Sequence, residues 1–187
     1  GDLLWLGTYG GGLNRVWRGK GRIDHFQHQS SQPNSLSSDL IRGVHIDQQG
    51  GLWILTENGL NRLQNDVRDA ELTFERFLPG YNLYWVHEDE QGSFWFGTYG
   101  QGLIQWHPNK GIQRTLRAED GLPGDIVFGV LSDETGNLWL STNHGLAMYK
   151  PSSEELTTYG SADGLINHEY NYNSAYLSKE GEMFFGG

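Results

Sequence analysis

The chain has 187 residues, enough for one domain or one long repeat array. Thirteen Lys and Arg against 23 Asp and Glu give a formal charge of −10, whereas a nucleic acid or an anionic membrane surface would need a basic footprint. The absence of cysteine excludes a disulfide framework, thiolate metal sites and a Cys nucleophile, and no apolar run approaches the roughly 20 residues of a membrane helix.

Taken in chain order, the apolar runs repeat. The first is Leu4-Trp5-Leu6-Gly7-Thr8, with Gly12-Leu13 opening the next run. The second unit predicts four strands, A to D, near 40–47, 52–56, 60–64 and 73–77. The third predicts them near 83–89, 94–98, 103–107 and 112–116, and the fourth near 126–133, 138–142, 146–150 and 155–159. A last A strand is expected near 172–178, followed by a B strand at Phe184. The anchor aromatic of strand B stands at Trp5, Trp53, Trp95, Trp139 and Phe184, a period of about 45 that points to propeller blades or a similar array. No stretch carries helical periodicity with caps.

The flanks of the anchor repeat as well. Gly50, Gly92, Gly136 and Gly181 lie three residues before it. Asp47, Asp89 and Asp133 lie six before it, with Ser178 in the last unit. Asp-x-x-Gly predicts a tight A–B turn, the carboxylate binding backbone N–H groups and the glycine taking positive φ. Thr8, Thr56, Thr98 and Thr142 follow the anchor by three residues. A single four-stranded sheet cannot bury both faces, so radial stacking is expected, with the anchor between adjacent sheets.

The fold expectation is therefore all-β: a β-propeller of about four blades of four-stranded antiparallel sheet, forming an open arc. Its parts are a partial blade at 1–39, blades at 40–82, 83–125 and 126–171, and a partial last blade at 172–187. The units resemble the two-component regulator propeller repeat, through Asp-x-x-Gly-x-Leu-Trp-Ile-Gly-Thr-x-x-Gly-Leu-like segments, Asp120-Gly121-Leu122-Pro123 and Asn167-His168-Glu169-Tyr170-Asn171. That resemblance implies the C-terminal part of an extracytoplasmic sensor propeller in a two-component or histidine kinase system. It implies a periplasmic, non-enzymatic input module for signal transduction that reads a small molecule such as an oligosaccharide and passes the signal to downstream domains. No cofactor is expected.

Alternating strand direction brings the loop entering A and the B–C loop to one face. There Tyr9, Tyr99 and His144 occupy B–C loops, and Arg42, Tyr84, Trp85, Phe128 and Tyr172 begin the A strands. Tyr9, Arg42, Trp85, Tyr99, Phe128, His144 and Tyr172 are the candidate ligand residues, with Arg42 able to pair a carboxylate. His45 and His87 recur eight residues before the anchor, but Leu131 and Tyr176 follow at that place, so no metal cluster is expected. Two other functions remain open: a metal-dependent propeller lyase, loosely matched by Gly92-Ser93-Phe94-Trp95-Phe96, and a protein-interaction scaffold. Apolar faces and strand edges left uncovered by an arc predict self-association as a homodimer.

Overall fold

The computed structural model describes residues 2–166 and 169–187. Asn167 and His168 of the terminal motif lie outside the described residues. The chain forms two compact units, Gly1–Leu83 and Tyr84–Gly187. The first sheet has three strands, β1 (Leu3–Gly7), β2 (Leu13–Trp17) and β3 (Arg22–Phe26). The second has β4 (Ile41–Ile46), β5 (Leu52–Thr56), β6 (Gly59–Leu63) and β7 (Phe74–Phe77) in sequence order. The third is β8 (Leu83–Glu88), β9 (Phe94–Thr98), β10 (Leu103–His107) and β11 (Gly111–Leu116). The fourth is β12 (Val127–Ser132), β13 (Leu138–Thr142), β14 (Gly145–Lys150) and β15 (Glu155–Tyr159), and β16 (Ala175–Leu177) pairs with β17 (Met183–Phe185). Two short 3-10 turns, Ala118–Asp120 and Ser161–Asp163, were not anticipated.

The A–B turn is built as its sequence suggests, with an addition. Oδ1 of Asp47 accepts the N–H groups of Gln49 (3.0 Å) and Gly51 (2.6 Å), and Oδ1 of Asp133 accepts those of Thr135 (2.9 Å) and Asn137 (3.0 Å). Asp89 does the same with Gln91 and Ser93. The other carboxylate oxygen accepts the indole N–H of the anchor: Trp53 at 2.7 Å, Trp95 at 3.0 Å and Trp139 at 3.1 Å. One aspartate thus closes the turn and satisfies the polar atom of the anchor. In the last unit Ser178 Oγ accepts the N–H groups of Glu180 and Glu182, and the anchor is Phe184, which has no N–H to satisfy. The B–C turn is closed by threonine in the same repeated way. Thr8, Thr56, Thr98 and Thr142 donate Oγ1–H to the carbonyls of Gly12, Gly59, Gly102 and Gly145 at 2.7–2.9 Å. Only glycine fits those four places: φ is positive at each, and an added Cβ would meet the carbonyl oxygen of strand D in its own sheet.

In the first unit the core joins the first two sheets through Leu13, Leu36, Ile41, Leu52, Ile54, Leu72 and Phe74, with Trp5 packed against it. In the second unit Trp95 packs with Val127, Val130, Leu138, Leu140 and Tyr149 of the following sheet, its ring 5.8 Å from Tyr149. Trp5 and Trp95 therefore lie between adjacent sheets, as stacking requires. Trp53 and Trp95 are buried, whereas Trp139 is half-buried and stacks on Tyr159 at 5.5 Å. The segment entering β4 is less open than its position suggests. Ser35 to Ser38 are buried, Leu36 plugging the core, and Arg76 bonds the carbonyls of Gln32, Ser35 and Leu36.

Nothing in the sequence pattern marks Arg15 for burial, yet it is fully buried. Its guanidinium pairs with Asp24 at 2.7 Å and donates to the Val67 and Asp69 carbonyls, tying the β6–β7 connection to the first sheet. The Trp17 indole N–H, with Arg15 and Arg22, holds the Asp24 carboxyl at about 2 against the opposing effect of burial. Each of the three guanidinium nitrogens donates to an acceptor, the kind of pairing under which a buried ion pair is tolerated.

Candidate functional site

A one-residue bulge opens the A strand at a repeated place. Ile41 pairs with Thr56 and Gly43 with Leu55, so Arg42 is the extra residue. Val127 pairs with Thr142 and Gly129 with Ser141, so Phe128 is the extra residue in β12. A bulge re-aims its side chain away from the regular alternation of the strand. Tyr84 holds the same place relative to its anchor Trp95 as Arg42 to Trp53 and Phe128 to Trp139.

In the second unit these positions gather an aromatic cluster centred on Tyr84. Its ring centroid lies 4.8 Å from Tyr172, 5.4 Å from Tyr99 and 6.1 Å from Phe128. Tyr99 is 53% exposed, and Tyr84, Phe128 and Tyr172 are half-buried. The β9–β10 turn is fixed over the start of β12: Gly100 and Gly102 donate to the Asp125 carbonyl at 3.1 and 2.8 Å, and Tyr99 bridges Ile126. The segment carrying Tyr172 is held by Tyr170, which is buried edge-on to Phe185 and whose N–H reaches the Thr142 carbonyl. Burial pushes the Tyr170 hydroxyl up from its ordinary value, so it stays protonated. The cluster offers flat apolar faces fringed by phenolic hydroxyls, a surface that takes an amphipathic ring.

The first unit repeats the arrangement with different chemistry. Gly10 and Gly12 donate to the Asp39 carbonyl at 3.1 and 3.0 Å, and Tyr9 bridges Leu40. The Arg42 guanidinium lies 5.3 Å from the Tyr9 ring centroid, and its Nε donates to Asn82 Oδ1 at 3.3 Å. Tyr9 is 77% exposed.

Of the expected ligand residues, the structure thus groups Tyr99, Phe128 and Tyr172 around Tyr84, and pairs Tyr9 with Arg42. Trp85 is placed elsewhere: it is half-buried against the core that contains Trp95 and Leu140. Neighbouring strand residues face opposite ways, so Tyr84 and not Trp85 joins the cluster. The repeat spacing carried that signal, since Tyr84 aligns with Arg42 and Phe128. His144 is exposed on the β13–β14 turn, with its N–H bonded to Thr142 Oγ1 at 3.1 Å. Among the described residues no three His, Asp or Glu side chains stand together to hold a metal ion.

Four-stranded antiparallel sheets repeated with an Asp-closed turn and an anchor aromatic define a β-propeller repeat protein. Residues 78–100 and 121–144 match the family described as two component regulator propeller. Histidine kinase P4 of Formosa agariphila is 28% identical over 196 aligned positions, which cover all of this chain and 14% of the relative. The extracellular domains ascribed to a one component and a hybrid two component system of B. thetaiotaomicron superpose with TM-scores of 0.82 and 0.79. They are 20% and 22% identical, over 98% and 99% of this chain and 27% and 25% of theirs. Virginiamycin B lyase of Staphylococcus aureus also shares the fold, with a TM-score of 0.65 and 15% identity over 95% of this chain and 56% of the lyase. The chain spans about a seventh of the curated kinase and a quarter of the extracellular domains.

Proposed function

We propose that this chain is part of the ligand-sensing input region of a two-component sensor, that it lies in the periplasm, and that it recognises an oligosaccharide without chemistry of its own. The repeats of the regulator propeller family and the likeness to a histidine kinase support the sensor role. The likeness to domains described as extracellular supports a place outside the cytoplasm. The observation that carries the ligand reading is the cluster in which Tyr172, Tyr99 and Phe128 surround Tyr84 within 4.8–6.1 Å, with Tyr99 open to solvent. Sugar rings present C–H faces that stack on such rings, and their hydroxyls suit the tyrosine rims. The likeness to the lyase is one of fold, and among the described residues no three His, Asp or Glu side chains stand together to hold a metal ion for a lyase reading.

The test is the signalling output of the full receptor across a panel of oligosaccharides, with and without Tyr99→Ala. Tyr99 is exposed, so its loss should alter stability by no more than about 0.5 kcal/mol. The expected result is a lost or strongly weakened response with an unchanged melting curve. An unchanged response would remove the cluster from the reading site, and a collapsed melt would make Tyr99 structural.

A further inference from the structure

The first unit contains a cleft that the aromatic cluster does not use. It has a volume of about 280 Å³ and lies between the segment that follows β3 and the stretch leading into β7. We propose that this cleft is a binding site for a neutral oligosaccharide, held by amide side chains. Gln27, Gln29, Gln32 and Asn34 line it, and all four are exposed. Their side-chain amides have no hydrogen-bond partner among the described residues, while the backbone that carries them is firmly held. Ser35 Oγ accepts the Gln29 N–H at 2.8 Å and lies within bonding distance of the Gln29 and Gln32 carbonyls. Arg76 donates to the carbonyls of Gln32, Ser35 and Leu36. The His28 N–H reaches Asp39 Oδ1 at 2.7 Å, and the Phe74 N–H reaches the Asn34 carbonyl at 2.7 Å. A long irregular segment pinned this thoroughly, yet presenting four unused amides to one cleft, is preorganised for a ligand.

The chemistry of the lining narrows the ligand. Each amide offers both donors and an acceptor, which matches a hydroxyl that does the same. No lysine or arginine lines the cleft, and Glu71 does, so an anionic sugar is disfavoured. Half-buried Phe26 supplies an apolar wall. The volume sits just below the range of about 300–1,000 Å³ for small-molecule pockets, which suits one or two sugar rings with the rest of the chain in solvent. This site does not depend on the aromatic cluster and lies in the other unit.

The test is saturation-transfer NMR and titration calorimetry on the 187-residue chain with maltotriose, cellotriose, xylotriose and trigalacturonate. At least one neutral trisaccharide should bind, more tightly than trigalacturonate. Gln29→Ala/Gln32→Ala should weaken it by about tenfold or more, the loss of roughly two net hydrogen bonds. Tyr99→Ala should leave it unchanged, which separates this site from the cluster. Melting curves should match the parent chain; if the double variant fails to fold, Gln27→Ala replaces it, with a smaller weakening expected. Failure of all three neutral trisaccharides to bind would overturn the proposal. Tighter binding of trigalacturonate, or neutral binding that survives the amide variants, would overturn it too.

Discussion

The bond from Asp133 to the Trp139 indole gives a quantitative test of why turn and anchor repeat together. Asp133→Asn keeps the shape of the side chain and one oxygen, which can still accept the Thr135 and Asn137 N–H groups. The second oxygen becomes an NH2 group facing the indole N–H, now 3.1 Å from a donor instead of an acceptor. Burial pushes the Asp133 carboxyl up, but hydrogen bonds from Thr135, Asn137 and Trp139 outweigh it and leave it at about 2. Against an ordinary value of 3.8, that difference favours the ionised form in the folded state by about 2 kcal/mol. Asparagine resembles the protonated form, so Asp133→Asn should cost about 2 kcal/mol at neutral pH. Trp139→Phe removes the indole donor and should cost about 1 kcal/mol for the lost bond, plus a little packing. In the double variant the conflict with the indole disappears, leaving only that with the Asn137 side-chain amide at 3.0 Å, so the combined cost should fall short of the sum by about 1 kcal/mol. In the last unit both partners are already replaced together, Ser178 standing in the aspartate place and Phe184 in the tryptophan place. Urea midpoints of the four proteins at pH 7 measure it. Costs that add to within about 0.3 kcal/mol would refute the coupling.

Stability should fall in acid for a stated reason. Asp133 and Asp24 both titrate near 2 when folded, below the ordinary 3.8, so their contribution is full above about pH 4 and is lost as pH falls through about 2. Thermal melts across that range check this, and a flat profile between pH 4 and 2 would refute it. In the β9–β10 turn, Gly102→Ala should destabilise by about 3 kcal/mol or more, because φ is +73° and the new Cβ would collide with the Leu116 carbonyl oxygen. Gly100→Ala in the same turn, at φ +86° with open space around it, should cost only about 1 kcal/mol; equal urea midpoints would contradict this. We also propose that the chain self-associates, since Leu4 and Leu6 on β1 are 47% and 44% exposed and Tyr176 and Phe184 on the last sheet are 62% and 53% exposed. Light scattering should show concentration-dependent growth that Leu4→Lys/Leu6→Lys reduces, and a monomer at all concentrations would refute it.

The repeat, the strands and both turn types were legible in the amino-acid sequence because each depends on contacts within a few residues. Asp47, Asp89 and Asp133 bond atoms no more than six positions away, and the four threonines bond carbonyls three or four positions away. The β period of two and the glycines at positive φ are equally local. Only the tertiary structure could decide what meets across sheets. The bulges that turn out Arg42 and Phe128 exist only as mismatches between paired strands. Tyr84 and Tyr172 meet although they lie far apart along the chain, and Trp85 turns from an expected ligand residue into a ring packed on the core. Arg15 looked like any surface strand residue until the β6–β7 connection placed two carbonyls over its guanidinium. A side chain's surroundings depend on which distant backbone folds back onto it, and local propensity does not encode that.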